Sequence, residues 1–446
     1  MTSAPRYYNA AKAKGRVVES SAGMIILGRK DAEGPDYPRL RRVEAFVTEV
    51  EGEEMVCLSD PEGIARDVVA LSPPAFLAAS LLDGKNSPAA VRAACAKAFG
   101  GHEITGAELA GLVERLDSSF LLDSSSFRLE RARVLGAWMD NPVRSATSAG
   151  ASYPGEPGEL GEWLKGFFSA EGGPGWLENA NPARPPARGL IAPHIDFARG
   201  GPVYAWAHRR ILESPLPPLV VVLGVAHAPS TEPFALTTKN FDTPCGTVEN
   251  DREAAGQLAE ACGWITGDEP LHRMEHSVEF QAVWLKALNP GREFRILPIL
   301  CGDFSRYAKD GSPMNEPRIA GAVDALARLV RERKVLVLAS VDLAHVGPDF
   351  GDEKPVDKEV SRRVGTRDGE ILEAAASGDP DLLWTEGMKD GNINKVDALS
   401  AAWTLSAVLR KAGVAATGTV LAYGQAPAPG GGMVSFGAVS YENQAP

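Results

Sequence analysis

The chain has 446 residues, of which 44% are hydrophobic and 23% charged, a composition typical of globular proteins and unlike that of disordered chains. It contains 46 Lys and Arg and 58 Asp and Glu, which gives a net charge of −12. An acidic surface repels phosphate backbones, so the charge argues against a nucleic-acid partner. No apolar run reaches the roughly 20 residues that a membrane span requires, and the first residues lack the apolar segment of a secretory signal. Five scattered cysteines without a CxxC pair favour a reducing compartment, so we expect a cytoplasmic protein with no membrane partner.

The first part of the chain predicts a small α+β domain. Residues 1–36 are polar and are expected to form a flexible lead, and residues 37–130 follow as a domain. In that domain, RRVEAFVTEV and MVCLSD alternate apolar and polar positions around the turn EGEE, which predicts a β-hairpin. Three segments with helical apolar spacing come next, and Thr105 with Glu108 forms a capping-box pattern at the third. This order is typical of a winged-helix-like module, in which we expect His102 to be only a solvated polar residue.

The rest of the chain predicts an α/β domain. Residues 131–188 are expected to form a connecting segment, with one helix at LGEWLKGFF, and the start of the main domain, which continues over residues 189–446. Four short apolar runs with β-branched residues, GLIAP, LVVVLGV, FRILPIL and KVLVLAS, alternate with helical stretches and predict buried parallel strands of a doubly wound sheet. A last helix, VDALSAAWTLSAVLRKAG, precedes two further strands, ATGTVLAY and MVSFGAVSY.

Polar clusters follow three of the predicted strands. Ligands of open α/β sheets collect beyond the carboxyl ends of the strands. The clusters are His194 and Asp196 after GLIAP, His227 after LVVVLGV, Asp342 and His345 after KVLVLASV, and, before the third strand, His272, Glu275, His276 and Glu279 in HRMEHSVEFQ. Imidazole and carboxylate groups are ligands of Fe, Zn, Cu and Mn, so the pattern predicts a shared metal site. The alternative is that each histidine is a separate structural residue.

One local motif offers a different metal site. The residues from His272 to His276 fit H-x-x-E-H, the inverted zinc-peptidase signature, with Glu275 as the base. If the segment were helical, the two histidines would share one face. The polar stretch GDEPLHRME instead indicates a loop that enters a helix near Ser277, which would leave His272 outside that helix.

The order of motifs along residues 144–441 resembles that of the Memo family, and within it the proteins labelled AmmeMemoRadiSam system protein B. The motifs are ASYP (151–154), IAPHIDFARGGPVYAWA (191–207), LGVAHAP (223–229), FDTPCGTVEND (241–251), EHSVEFQ (275–281), ILPILCGDF (296–304) and SVDLAHVG (340–347). The resemblance implies a Memo-like α/β fold related to class III extradiol dioxygenases, which bind non-haem iron. The preceding region, from YPRLRRVEAF to LLDS, is similar to the PqqD-like or winged-helix extension of bacterial members.

The resemblance also implies a ligand set. In the family, two histidines and a late cysteine hold the metal, and the first two positions match His194 and His227. The third is a CG-type motif just before the last long helix, and it aligns best with Asp397-Ala398 in GNINKVDALSAAW. No cysteine follows Cys301, so this region cannot supply a thiolate. An aspartate would complete a 2-His-1-carboxylate site that suits Fe(II) and attracts Cu(I) less than a thiolate does. The alternative is that Asp397 only caps the helix that follows it.

Three further residues match family positions near the metal. His276, Asp342 and His345 correspond to the EHS and SxDxxH motifs, and we expect them to carry acid–base work or to lie just behind the ligands. The alternative for Asp342 and His345 is a pairing that only orients loops. Arg199 in FARGGP is a candidate to hold an anionic substrate group, although GG segments are mostly turns.

These observations favour a metal-dependent oxidative enzyme, a non-haem iron oxidoreductase related to dioxygenases, with Fe(II) preferred and Cu or Zn as alternatives. Its substrate would be a small molecule or linked to a peptide. A second hypothesis is a non-catalytic protein that binds a peptide or partner in a radical SAM-associated system, because PqqD-like modules often recognise leader peptides and the family's name records radical SAM neighbours. A zinc peptidase built on His272 and His276 is the third.

Overall fold

The computed structural model describes residues 37–50, 52–65, 67–99, 104–177, 184–308, 311–414 and 416–443, together with the short antiparallel pair β1 (Glu19–Ser20) and β2 (Met24–Ile25). The remainder of the lead predicted over residues 1–36 lies outside the described residues, and so does His102. The chain divides into two compact units. One comprises Met1–Asp140, Val346–Val356 and Pro427–Gly432, and the other Asn141–His345, Asp357–Ala426 and Met433–Pro446. The finer boundaries expected at residues 36, 130 and 188 stay predictions.

The first unit contains a three-stranded antiparallel sheet. Strands β3 (Glu44–Val50) and β4 (Glu53–Ser59) form the predicted hairpin, and β5 (Val69–Leu71) pairs with β4. The helices of this unit are α1 (Pro73–Ser80), α2 (Pro88–Ala98), α3 (Gly106–Ser118) and α4 (Ser125–Asp140). The predicted capping box is present, because the Thr105 hydroxyl accepts the Glu108 N–H while the Glu108 carboxylate accepts the Thr105 N–H. Leu40, Val56 and Leu116 belong to one apolar core beneath the sheet and helices.

The second unit is built on a mixed sheet. Its strands are β6 (Val143–Arg144), β7 (Gly189–Ala192), β8 (Leu219–Val225), β9 (Phe234–Leu236), β10 (Asn240–Phe241), β11 (Arg295–Cys301), β12 (Val335–Ser340), β13 (Asp342–Val346), β14 (Ala416–Pro427) and β15 (Met433–Asn443). The main sheet has the order β13-β15-β7-β12-β8-β11-β9, with β14 beside β15, and β6 pairs separately with β10. The four predicted strands β7, β12, β8 and β11 are parallel neighbours, whereas β15 and β9 run antiparallel to them.

Helices cover both faces of this sheet. They are α5 (Pro157–Ser169), α6 (Phe197–Leu212), α7 (Arg252–Ala261), α8 (His276–Leu288), α9 (Pro317–Glu332), α10 (Lys358–Ala376), α11 (Pro380–Met388) and α12 (Leu399–Lys411). Every residue of β8 and β12 is buried, as expected for parallel strands that are packed on both sides. Alternate residues of these strands join one core cluster with α7, α9 and α12, and α6 and α8 contact the sheet as well. No helix among the described residues is long and apolar enough to cross a membrane.

Close packing of α8 on β8 depends on a glycine in LGVAH. A Cβ atom at Gly224 would lie 2.6 Å from Oγ of Ser277 and 2.7 Å from Cγ2 of Val278, closer than real Cβ atoms come. Hydrogen bonds also join the helix to the strand here, since the Ser277 hydroxyl donates to the Val225 carbonyl and accepts the Val225 N–H. The beginning of α8 is thereby fixed against the carboxyl end of β8, where His227 follows.

Candidate metal centre

Three neighbouring parallel strands bring their carboxyl ends to one edge of the main sheet. Each of these strands is followed, two residues after its end, by a polar residue: β7 by His194, β12 by Asp342 and β8 by His227. Strand β12 is the central one of the three. The register aligns these ends, with Ser340 opposite Ala192. The sheet thus brings together the three polar residues that the sequence placed at strand ends.

His194 is buried, with one nitrogen aimed at the acids of the site. Its Nδ1 lies 3.2 Å from the Ser340 carbonyl, which can only accept, so Nδ1 carries the proton and Nε2 is the basic nitrogen. That Nε2 is 3.4 Å from Oδ2 of Asp397 and 3.7 Å from Oδ2 of Asp342. The Asp342 Oδ1 atom accepts the backbone N–H of His194 at 2.9 Å. Burial alone would lower the pKa of His194, but the two carboxylates outweigh it and raise the pKa to about 9.

Glu275 holds His227 in a matching way. The Nδ1 of His227 is 3.0 and 2.9 Å from the two carboxylate oxygens of Glu275, and its backbone N–H donates to the same group at 3.2 Å. Its Nε2 lies 3.3 Å from Oδ2 of Asp397. Desolvation opposes the charge on both partners, yet the ion pair raises the pKa of His227 well above its ordinary value and holds that of Glu275 well below. A histidine whose Nδ1 is tied to an acceptor presents Nε2 to a metal.

His276 completes a triangle of imidazoles. It is the first residue of α8, and its ring stacks on that of His227 at 4.9 Å and lies 5.7 Å from that of His194. One nitrogen from each of the three rings lies within 4.8 Å of the others. Desolvation, reinforced by the two neighbouring histidines against the pull of Glu275, lowers the pKa of His276 to about 4. His276 is therefore neutral at neutral pH, which suits a proton acceptor or a ligand better than an acid.

Asp397 faces the histidines and does not cap α12. Its Oδ2 lies 3.4 Å from Nε2 of His194, 3.3 Å from that of His227 and 3.8 Å from that of His345. Ala398 occupies the cap position, and no side chain of the described residues caps this helix. Oδ1 of Asp397 is buried without a hydrogen-bond partner among the described residues. Burial would raise the pKa of Asp397, but His345 and His194 hold it well below the ordinary value.

The donor set fits a divalent metal. Two basic imidazole nitrogens, a third imidazole beside them and an ionised carboxylate with one unpartnered oxygen converge on one side of the sheet. Each of the first two imidazoles has its other nitrogen fixed by an acceptor, the arrangement that accompanies metal-ligating histidines. Nitrogen and carboxylate oxygen donors suit Fe(II), Zn(II) and Mn(II).

His345 and Asp342 occupy supporting positions. His345 lies on β13, its Nδ1 donates to the Leu343 carbonyl at 3.1 Å, and its Nε2 faces Asp397. Asp342 is 2% exposed, and burial raises the pKa of its carboxyl above the ordinary value even though His194 opposes the shift. Asp342 contacts His194, and His345 lies 3.8 Å from Asp397, so each is adjacent to a residue of the donor set.

The local H-x-x-E-H site is not assembled. His272 lies in a separate 3-10 turn (Glu269–Arg273), is 1% exposed, and has its Nε2 2.9 Å from the Ala235 carbonyl. Glu275, the base of that hypothesis, faces His227 instead. As the sequence suggested, only His276 reaches the helix.

Arg199 and the glycines beside it have local roles. The Arg199 guanidinium donates to Asp196, the cap residue of α6, at 2.5 Å. A Cβ at Gly201 would lie 2.3 Å from the ring of Phe167, so this glycine permits close packing of α6 on α5. The segment is therefore helical and not the turn that GG suggested.

A buried ion pair behind the site was not singled out from the sequence. Arg144 and Glu279 are fully buried and pair with each other. The guanidinium also donates to the His272 and Glu275 carbonyls at 3.0 and 2.8 Å, and the Tyr153 hydroxyl donates to Glu279. The ASYP segment is thereby attached to the beginning of α8. From the sequence, Glu279 was a member of the polar cluster in HRMEHSVEFQ and Tyr153 a member of the ASYP motif, but neither was paired with Arg144.

Gln281 is a second residue that the sequence did not reveal. It is fully buried, and its Nε2 donates to the Pro193 carbonyl at 2.7 Å and to the Ser340 hydroxyl at 2.9 Å. These contacts fix the two backbone segments that hold His194. The sequence signal was only that Gln281 ends the motif EHSVEFQ, and its contacts with Pro193 and Ser340 could not be derived before the fold was known.

Comparison with known proteins agrees with the fold. A family model described as Memo-like protein matches residues 144–440. A MEMO1 family protein of Aquifex aeolicus is 26% identical over 378 residues, which covers 84% of this chain and 92% of the relative. One from Methanopyrus kandleri is 32% identical, covering 50% of this chain and 76% of its own length, and one from Thermus thermophilus is 30% identical, covering 61% and 74%. The mixed α/β sheet is the architecture expected from the resemblance, and the chain belongs to the Memo family.

Proposed function

We propose that this chain is a metal-dependent oxidative enzyme in which His194, His227 and Asp397 hold Fe(II). The observation that carries the proposal is the place of the Asp397 carboxylate, 3.4 and 3.3 Å from the Nε2 atoms of the two histidines, with its other oxygen buried and unpartnered among the described residues. An ionised carboxylate in such surroundings is stabilised by a bound cation.

The choice of iron follows from the donors. A hard carboxylate with two imidazoles forms a 2-His-1-carboxylate set, which leaves positions open on Fe(II) and lacks the soft thiolate that attracts Cu(I). When bound, the metal supplies Lewis acidity and one-electron chemistry. Zn and Cu are the alternatives that metal analysis distinguishes.

The surrounding residues bind and move protons. The side chains of His227 and His276 are each 38% exposed whereas His194 is 2% exposed, so a substrate approaches from the side of the first two. His276, neutral at neutral pH because its pKa is about 4, accepts a proton from the substrate. Glu275 and Asp342 orient His227 and His194. The substrate is a small molecule or one linked to a peptide, and a radical SAM-associated protein is the proposed partner.

Metal analysis of anaerobically purified protein tests the proposal. We expect about one iron per chain in the wild type and little in His194→Ala and Asp397→Ala, because each removes a ligand. His272→Gln is the matched control, since it changes a buried histidine outside the donor set and should retain iron. His276→Gln should also retain iron if this residue acts on protons.

Two outcomes would contradict the proposal. If zinc remained bound in His194→Ala but not in His272→Gln, the result would support the zinc-peptidase site at His272 and His276 instead. A wild type that binds no metal when supplied with iron, zinc or copper would exclude the enzyme and leave the hypothesis of a peptide- or partner-binding protein.

A further inference from the structure

The turn that leads into Asp397 has a strained backbone. Asp390, Asn392 and Lys395 have φ angles of 56°, 55° and 54°, and Gly391 between them has 69°. A left-handed backbone is unfavourable for residues other than glycine, least so for Asn and Asp. Three such residues in one short turn require contacts that compensate for the strain, and strain of this kind concentrates at functional sites.

The side chain of Asn392 supplies these contacts. Its Nδ2 donates to the Val396 carbonyl at 2.9 Å, and the Val396 N–H donates to its Oδ1 at 2.8 Å. The Asn392 carbonyl in turn accepts the Lys395 N–H at 2.8 Å. One amide group thus fixes both polar backbone groups of the residue that precedes Asp397.

A second contact ties this turn to the strand that carries His345. The Asn394 carbonyl accepts the backbone N–H of His345 at 2.8 Å, and Nε2 of His345 lies 3.8 Å from Oδ2 of Asp397. Ile393 at the tip of the turn is 71% exposed, whereas Val396 is 4% exposed and packs in the apolar core of this unit. The side chain of Val396 is thus held by packing, and both of its polar backbone groups are held by Asn392.

We propose that Asn392 is a positioning residue that orients the Asp397 carboxylate toward the metal. The inference rests on the proposed metal site and adds a group outside the ligand set that determines how well the site binds. Groups that orient metal ligands typically contribute a factor of about 10 to 100 in metal affinity. If Val396 were free to rotate its peptide groups, the carboxylate that follows would lose its fixed direction.

Titration of the full-length chain with Co(II) tests the inference, because the visible bands of Co(II) report its ligands and geometry as well as its affinity. Asn392→Gly keeps the left-handed backbone accessible and removes only the amide. We expect its Co(II) affinity to fall about 10- to 100-fold, with bands that shift toward those of Asp397→Ala. Asn392→Asp keeps the acceptor for the Val396 N–H but not the donor, and should give an intermediate affinity.

The controls separate positioning from stability. Asp390→Gly relieves the same backbone strain without touching Val396, and should bind Co(II) like the wild type. In an Asp397→Ala background, Asn392→Gly should cause no further loss, since it acts through the missing carboxylate. Wild-type affinity and bands in Asn392→Gly would overturn the inference, and so would a further loss in that background. A wild type that binds no Co(II) would instead overturn the metal site itself.

Discussion

Both carboxylate oxygens of Glu275 lie within hydrogen-bond distance of Nδ1 of His227, at 3.0 and 2.9 Å. The same carboxylate accepts the backbone N–H groups of His227 and Ser277 at 3.2 and 2.9 Å. Glu275 therefore fixes the ring direction of one proposed ligand and joins it to the first turn of α8. It also makes His227 a stronger donor, since a hydrogen-bonded carboxylate raises the basicity of the imidazole.

Replacing Glu275 by glutamine should weaken metal binding. Glu275→Gln keeps the size and one acceptor of the side chain but removes its charge, so His227 becomes less basic and less firmly oriented. We expect an affinity for Fe(II) or Zn(II) that is about 10-fold lower, measured by competition with a chelator. Glu260→Gln, an exposed substitution on α7, is the control for the charge change. Equal affinities in the two variants would show that Glu275 has no part in binding.

Metal affinity should rise with pH. A proton and a metal compete for Nε2 of His194, whose pKa is raised to about 9, mainly by Asp342 and Asp397 against the effect of burial. Below that pH the metal must displace this proton, and also one from His227, whose pKa is raised well above its ordinary value by Glu275 and Asp397. Affinity should therefore increase by up to about tenfold per pH unit for each proton released, and the His194 contribution should level off above about pH 9. Titrations at fixed ionic strength measure this slope. An affinity that does not change from about pH 6 to pH 8 would contradict it.

The same shift has the opposite effect on folding stability. The pKa of His194 is higher in the folded chain than its ordinary value of 6.5, because protonated His194 interacts with Asp342 and Asp397. This interaction therefore stabilises the fold fully below about pH 6.5, and its contribution is lost as the pH rises through about 9. Urea unfolding with a chelator present should show this fall for the wild type and a smaller one for His194→Gln. If the stability of the wild type and of His194→Gln depended on pH in the same way, the charge on His194 would not be the source of the fall.

The main sheet could be predicted because its sequence signals are local. LVVVLGV and KVLVLAS are continuous apolar runs with β-branched residues, and such runs form buried parallel strands almost regardless of the rest of the chain. The positions of His194, His227 and Asp342 just after these runs then place them at one edge. The strand β13 was missed, because Asp342–Val346 begins two residues after the end of β12 and pairs with β15, which is distant in the sequence.

The finer parts of the site depend on contacts that no local pattern encodes. The target of Glu275 could not be derived, since the same residue also fits a zinc-peptidase motif. Arg144 meets Glu279 across 135 positions of the chain. The role of Asn392 requires a left-handed backbone that the letters GNINK do not specify. The sequence allowed Asp397 either to face the histidines or to cap α12. The direction of its side chain, which only the structure supplies, is toward the histidines.

Replacing Asp397 by cysteine should change which metal the site prefers. Asp397→Cys exchanges a hard oxygen donor for a soft thiolate, the type that the family resemblance implies at this position, so affinity for Cu(I) should rise relative to Fe(II). Competition with a Cu(I) chelator under anaerobic conditions measures the change, and Asp397→Ser, which lacks the thiolate, is the matched control. If the Cys and Ser variants bound Cu(I) equally well, residue 397 would not reach the metal.

Breaking the buried ion pair behind the site should destabilise the fold strongly. Glu279→Gln leaves the guanidinium of Arg144 fully buried without its counter-charge, and removing one partner of such a pair costs about 3–5 kcal/mol in the free energy of unfolding. Urea denaturation measures the loss. Glu162→Gln removes an acid of the same type from a solvent-exposed pair with Lys165, and should cost about 1 kcal/mol at most. If Glu279→Gln lowered the free energy of unfolding no more than this control did, the Arg144–Glu279 pair would not be shielded from water and would not stabilise the attachment of the ASYP segment to α8.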